Sequence, residues 1–153
     1  MKKTMFTLCA VMIGFYASAQ KLTEAQVPAA VVKTFKAKYP AVQHATWEKE
    51  DMAYEANFEM NKAETSAIFD ANGKFMETES EIAKSALPKA VADAVAKNYA
   101  GYKIEETAKI EAKGLVTYEV EVEKGEKSMD LIYDEKGKLL KTTPKEEEKD
   151  KKN

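Results

Sequence analysis

The sequence predicts an α+β protein of two tandem repeats, each one helix followed by a four-stranded antiparallel sheet, with the helices covering one face of the sheet. Three observations predict it. Two proline-led stretches lie sixty residues apart, Val27-Pro28-Ala29-Ala30-Val31-Val32 through Lys38-Tyr39 and Leu87-Pro88-Lys89-Ala90-Val91-Ala92 through Asn98-Tyr99. Alternating stretches follow at an offset of sixty-four, Tyr54-Glu55-Ala56-Asn57-Phe58 and Tyr118-Glu119-Val120-Glu121-Val122. Two acidic turns close the pattern, Asp70-Ala71-Asn72-Gly73-Lys74 and Asp134-Glu135-Lys136-Gly137-Lys138. A period of this length reads as one supersecondary unit duplicated.

The elements are taken in chain order. Residues 1–19 read as a signal peptide: Lys2-Lys3, an apolar run from Met5 to Tyr16, and Ala17-Ser18-Ala19 before a cleavage point after Ala19. The run is too short to span a bilayer, which takes about twenty apolar residues. The first repeat covers 20–82 and the second 83–144. Each helix opens at a proline, whose missing N–H costs nothing in a first turn. Val27, Val31, Thr34, Phe35 and Tyr39 recur at helical spacing, as do Leu87, Val91, Ala94, Val95 and Tyr99. Pro40 and Gly101 stop the two helices.

In the strands, Met52, Tyr54, Ala56, Phe58 and Met60 alternate with Ala53, Glu55, Asn57 and Glu59. This is the pattern of a sheet covered on one side. A turn at Glu50-Asp51 pairs Trp47 with Tyr54; a loop at Lys113-Gly114-Leu115 pairs Ile110 with Tyr118, making Trp47 and Ile110 counterparts. Turns at Asn61-Lys62 and Gly125-Glu126 begin the third strands, and short fourth strands follow at Phe75 and Leu139. The expected core is Trp47, Tyr54, Phe58 and Phe69 with Ile110, Tyr118, Val120 and Tyr133, under Val31, Phe35, Val91 and Val95. Glu55, Asn57, Glu59, Glu119 and Glu121 are expected to face solvent. Glu77 to Ala86 reads as a linker in which Ser80 and Ser85 offer helix caps. Residues 145–153 read as a disordered charged tail, with no apolar residue after Pro144.

Composition excludes several functions. Signal cleavage removes the single cysteine, Cys9, so the exported protein has no disulfide to form and packing alone holds it. Removing Lys2 and Lys3 takes the formal net charge from −2 to −4. Every basic residue is lysine, and without arginine the chain is a poor nucleic-acid or phosphate reader. The lone histidine, His44, alternates with Ala45 and Trp47 onto the polar side. Ser66, Ser80, Ser85 and Ser128 lie in no nucleophile elbow. No catalytic residue, cofactor-binding residue or metal ligand is therefore assigned, no cofactor is expected, and the chain reads as a non-enzyme. Two acidic groupings remain. Asp70 with Asn72, and Asp134 with Glu135, offer oxygens of the kind calcium takes, but Asp-x-x-Gly is foremost a turn. Glu55, Glu59, Glu119, Glu121 and Glu123 form a carboxylate face, read as solvated or as a surface that docks a partner.

Taken together, the proline-opened helices, Tyr39-Pro40 and Tyr99-Ala100-Gly101 closing them, Trp47 ahead of Tyr54-Glu55-Ala56-Asn57-Phe58, and the Asp70…Gly73-Lys74 and Asp134…Gly137-Lys138 turns resemble the PepSY-like family of exported bacterial proteins, which has a β-lactamase-inhibitor-protein-like fold. The resemblance implies a periplasmic or secreted protein with helices on one side of a curved sheet and no catalytic residues to carry over. In the inhibitor the sheet face grips an enzyme. The expected function is a non-enzymatic exported module that binds an envelope protein or peptide on its open sheet face, as an inhibitor does, with neither nucleic acid nor a membrane span involved. The alternative is a small-ligand or calcium-binding periplasmic module.

Overall fold

The computed structural model describes residues 20–145. Residues 1–19, read as a signal peptide, and residues 146–153 of the expected tail lie outside the described residues, while Lys145, placed in that tail, ends the last strand. Strand β1 is Gln20–Leu22, and helix α1 is Ala29–Lys38. Strands β2 (Thr46–Glu50), β3 (Ala53–Met60), β4 (Ala63–Asp70) and β5 (Phe75–Glu81) follow. Helix α2 is Lys89–Asn98, ahead of β6 (Lys103–Ala112), β7 (Leu115–Lys124), β8 (Lys127–Asp134) and β9 (Leu139–Lys145). Pro28 and Pro88 sit at the N-caps, and Tyr39 and Tyr99 at the C-caps.

The expectation of two repeats, each a helix with its own four-stranded sheet, is overturned. All nine strands form one antiparallel sheet in chain order, with two helices. The physical reason lies at the strand edges. A four-stranded sheet would leave β5 and β6 with a row of unpaired N–H and C=O groups. Instead β5 pairs with β6 from Glu77↔Ala112 to Glu81↔Ala108, so the first half of the expected linker is strand. Strand β1, which no alternation announces, covers the edge of β2 through Leu22↔Trp47.

The chain divides into two compact units, residues 20–58 with 66–75, and residues 59–65 with 76–145. In the first, Phe35 of α1 stacks edge-on against Trp47 at 5.2 Å and Phe58 at 5.2 Å between ring centres; Tyr39 meets Phe58 at 4.7 Å. In the second, Leu87, Val91 and Val95 pack on Val120, Val122, Leu131 and Tyr133, with Tyr118 partly buried beside them. Each unit pins its helix by a glycine. Gly73 and Gly137 have φ of +80° and +77°, and a Cβ on either would collide with the carbonyl of Ala30 or Ala90 respectively.

Two registers differ from expectation. The β2–β3 turn is at Asp51-Met52, so Trp47 pairs with Ala56 rather than Tyr54; this two-residue shift keeps every side chain on its face. The β6–β7 turn is the two-residue Lys113-Gly114, both at positive φ as a type I′ turn requires. That one-residue shift has a larger consequence. Thr107 pairs with Val120 and Lys109 with Tyr118, while Ile110 pairs with Thr117 and turns to the face opposite Val120. Ile110 is therefore not part of the core under α2, and Thr107 holds the place corresponding to Trp47. A bulge between Ile104 and Glu106 lets Ile104 keep to the helix side.

Candidate functional site

Antiparallel partners share a face, so the register of β5 to β9 places the side chains of the face away from α2. Glu106, Glu121 and Asp130 stand directly opposite one another across β6, β7 and β8. The next row is Glu81, Ala108, Glu119, Ile132 and Lys141. The row beyond holds Glu79, Ile110 and Thr117. This face is not the open, solvated one that alternation predicts. Glu119 is 8% exposed, Glu79 2% and Asp130 1%, alongside buried Ala108, Ile110 and Ile132. In the first unit Glu55, also expected in solvent, is 5% exposed. Among the other residues expected there, Glu59 is exposed, while Asn57 and Glu121 are half-buried. The β6–β7 register turns Ala108 and Ile110 to this face, beside the carboxylates of the second unit.

Among the described residues, the ammonium group of Lys145 is ion-paired with this cluster. Lys145 donates to Glu121 Oε2 at 2.7 Å and lies 3.1 Å from Asp130 Oδ1. Ser128 Oγ donates to Glu121 Oε1 at 3.2 Å. Burial pulls the Lys145 ammonium down, but its bonds and proximity to Glu121 and Asp130 outweigh this and hold it above its ordinary value. Glu119 Oε2 is buried without a hydrogen-bond partner among the described residues. Burial pushes Glu119 up to about 8, with Asp130, Glu106 and Glu121 adding repulsion and Lys145 opposing it. Burial also lifts Glu106 to about 7, helped by Glu121, Glu81 and Glu64 and opposed by Lys145. Like charges set directly across a sheet destabilise it. Among the described residues this face carries more carboxylates than ammonium groups.

A second grouping lies in the first unit. Glu48 pairs with Glu55, and the carboxylates of Glu48, Glu50 and Glu55 each bring an oxygen within 4.8 Å of the others, an arrangement that could hold a metal ion. Burial, then Glu48 and Asp51, hold the Glu50 carboxyl above its usual range. The two acidic turns are already occupied with shaping the chain. Asp70 Oδ1 accepts from the N–H of Asn72 and Lys74, and Asp134 Oδ1 accepts from those of Lys136 and Lys138, all at 2.9 Å. His44 is exposed in a loop and Ser85 in the 3-10 turn Lys84–Ala86, Ser66 is buried, and Ser80 accepts from Thr65 at 3.2 Å. None of these is brought into a shared constellation in the described residues. Sequence reasoning missed Glu106, Asp130 and Lys145. Asp130 offered a signal, since it is the one carboxylate within the otherwise apolar run from Met129 to Tyr133.

Comparison with known families settles the kinship of this fold. The family model described as "Putative beta-lactamase-inhibitor-like, PepSY-like" matches residues 16–65 and 53–141. The chain belongs to the PepSY-like family. Solved structures are similar to this PepSY-like chain over most of its length. A DUF2874 family protein from Bacteroides ovatus is 27% identical, with TM-score 0.72, covering 78% of this chain and 88% of its own. A BLIP-like protein from Bacteroides fragilis is 28% identical, with TM-score 0.67, covering 77% and 86%. A structure from Bacteroides eggerthii, described among "putative periplasmic proteins", shares the fold at 19% identity and TM-score 0.74, covering 77% and 88%. No curated protein matches the sequence. Among the described residues, no helix is long and apolar enough to cross a membrane.

Proposed function

We propose that this PepSY-like protein is an exported, periplasmic, non-enzymatic module that holds a protein or peptide on the carboxylate-bearing face of its sheet, in the manner of an inhibitor. The observation that carries the reading is the row Glu106, Glu121 and Asp130 with Glu119 beside it, aligned across adjacent strands and opposed by one lysine. Sites whose groups are kept at a cost to the fold are where function is to be sought. The family description, the BLIP-like relative and the periplasmic description of a structural neighbour support the reading. The charge-led signal peptide supports export.

The test is site-specific photo-crosslinking in envelope extract. A crosslinker at Glu81 or Glu106 is expected to give an adduct of defined mass, and one at exposed Lys97 on α2 is not. Equal adducts from both positions, or none from the sheet face, refute the reading. A second reading, a divalent-cation-binding module, is favoured by Glu48, Glu50 and Glu55. It expects millimolar calcium to raise the melting temperature of the wild type and not of Glu50→Gln. Saturation about a hundredfold over Kd is worth about 2.7 kcal/mol.

A further inference from the structure

Resting on the protein-binding reading above, we infer that the patch formed by Glu64, Glu81, Glu106, Glu119, Glu121 and Asp130 receives a basic side chain, a lysine ammonium or arginine guanidinium, presented by the bound protein, and that its entry releases protons. Three observations support it. The first is charge balance: among the described residues, six carboxylates on β4, β5, β6, β7 and β8 meet one ion-paired cation, Lys145 of β9, with Lys141 farther along the Glu119 row beyond Ile132. The second is an internal precedent. Lys145 shows that an ammonium fits between carboxylates here, bridging Glu121 and Asp130 at 2.7 and 3.1 Å. The third is Glu119, more than nine-tenths buried, whose Oε2 has no partner among the described residues and which feels the charges of Asp130, Glu106 and Glu121.

The patch grades from open to closed. Glu64 and Glu81 are exposed, Glu106 and Glu121 half-buried, and Glu119 and Asp130 buried. An incoming cation therefore meets Glu81 and Glu106 first, and the buried pair sets the field behind them. With Glu106 raised to about 7 and Glu119 to about 8, the unliganded patch holds protons at neutral pH. A cation favours the charged carboxylates and expels those protons, so it binds more tightly as pH rises. Ordinary surface carboxylates, ionised well below pH 6, give no such dependence.

The experiment is calorimetric titration of the purified protein with a lysine-rich peptide at low salt, at about pH 6 and about pH 8.5, with glutamate-rich and uncharged peptides as controls. The expected result is binding of the lysine peptide alone, at least roughly tenfold tighter at the higher pH, with proton release in proportion to the carboxyls ionised. Glu106→Gln is expected to weaken binding and Glu119→Gln to flatten its pH dependence. Glu111→Gln, on the opposite face of β6, is expected to change neither. A pH-independent affinity, or equal loss in Glu106→Gln and Glu111→Gln, overturns the inference. The crosslinking test separates it from the reading beneath it. If a partner adduct forms equally well on Glu106→Gln protein, the basic-side-chain inference falls and protein binding stands. If the lysine peptide binds through Glu106 while no protein adduct forms, the cation site stands and the protein-binding reading falls.

Discussion

Glu119 is expected to make the stability of this protein fall as pH rises from 5 to 7. In the unfolded chain a glutamate releases its proton near pH 4.3. In the folded chain burial and the neighbouring Asp130 hold the proton to about pH 8. Between these values the folded state carries a proton that the unfolded state has lost. A raised carboxyl of this kind contributes stability fully below the unfolded value, and that contribution disappears as pH climbs through the folded one. One such proton is worth about 1.4 kcal/mol per pH unit, so stability falls by about 2–3 kcal/mol from pH 5 to pH 7. Glu106, raised to about 7 but half-exposed, adds only a fraction of a second proton. The assay is urea unfolding at pH 5, 6, 7 and 8 on the wild type and on Glu119→Gln, which mimics the protonated side chain. The wild-type midpoint is expected to drop with pH and the variant's to stay nearly level across the same range. A wild-type midpoint that is flat or rises from pH 5 to pH 7 refutes the reasoning, and so does an unchanged slope in the variant.

Other outcomes follow from the packing. Phe58→Ala, which empties the space beside Phe35 and Tyr39, is expected to cost about 3–5 kcal/mol in chemical denaturation. Lys145→Ala strips the counterion from the buried Asp130 and is expected to cost about 2–4 kcal/mol at neutral pH; a change below 0.5 kcal/mol would mean that the pair is not formed in solution. Gly137→Ala forces a side chain into a positive-φ turn against the Ala90 carbonyl, and the backbone strain alone is about 1–3 kcal/mol; a neutral result in thermal melts would deny the close approach of turn and helix. Asp134→Asn keeps an acceptor for the N–H groups of Lys136 and Lys138, so it is expected to shift the melting temperature far less than Asp134→Ala, with or without calcium.

The elements easiest to see in the sequence are those whose signals are local. Pro28 and Pro88 mark the helix starts, Gly125 marks the β7–β8 turn, and the alternation of Tyr54 to Phe58 marks β3. What stayed hidden depends on long-range pairing. Three-residue β1 has no pattern of its own and exists because β2 has an edge to cover. The union of β5 with β6 joins segments separated by α2, which no periodicity reports. The face of Ile110 turned on whether one residue belonged to a loop, and a positive φ at Lys113 decided it. Glu119 was legible as facing away from Val120, but not as buried. Ile132 stands opposite it in the expected register as well, but Ala108 comes beside it only in the observed β6–β7 register.

The buried carboxylates also govern how the protein is best handled. A fold that is most secure when Glu119 keeps its proton favours mildly acidic buffer. The sequence isoelectric point, about 5.6, lies in that same range. Near that point molecules lose the mutual repulsion that keeps them apart in concentrated solution. The buffer that best protects each molecule from unfolding is therefore the one in which molecules most readily associate. Storage at neutral pH gives up part of the conformational margin in return for colloidal dispersion, and neutralising Glu119 by substitution separates the two requirements.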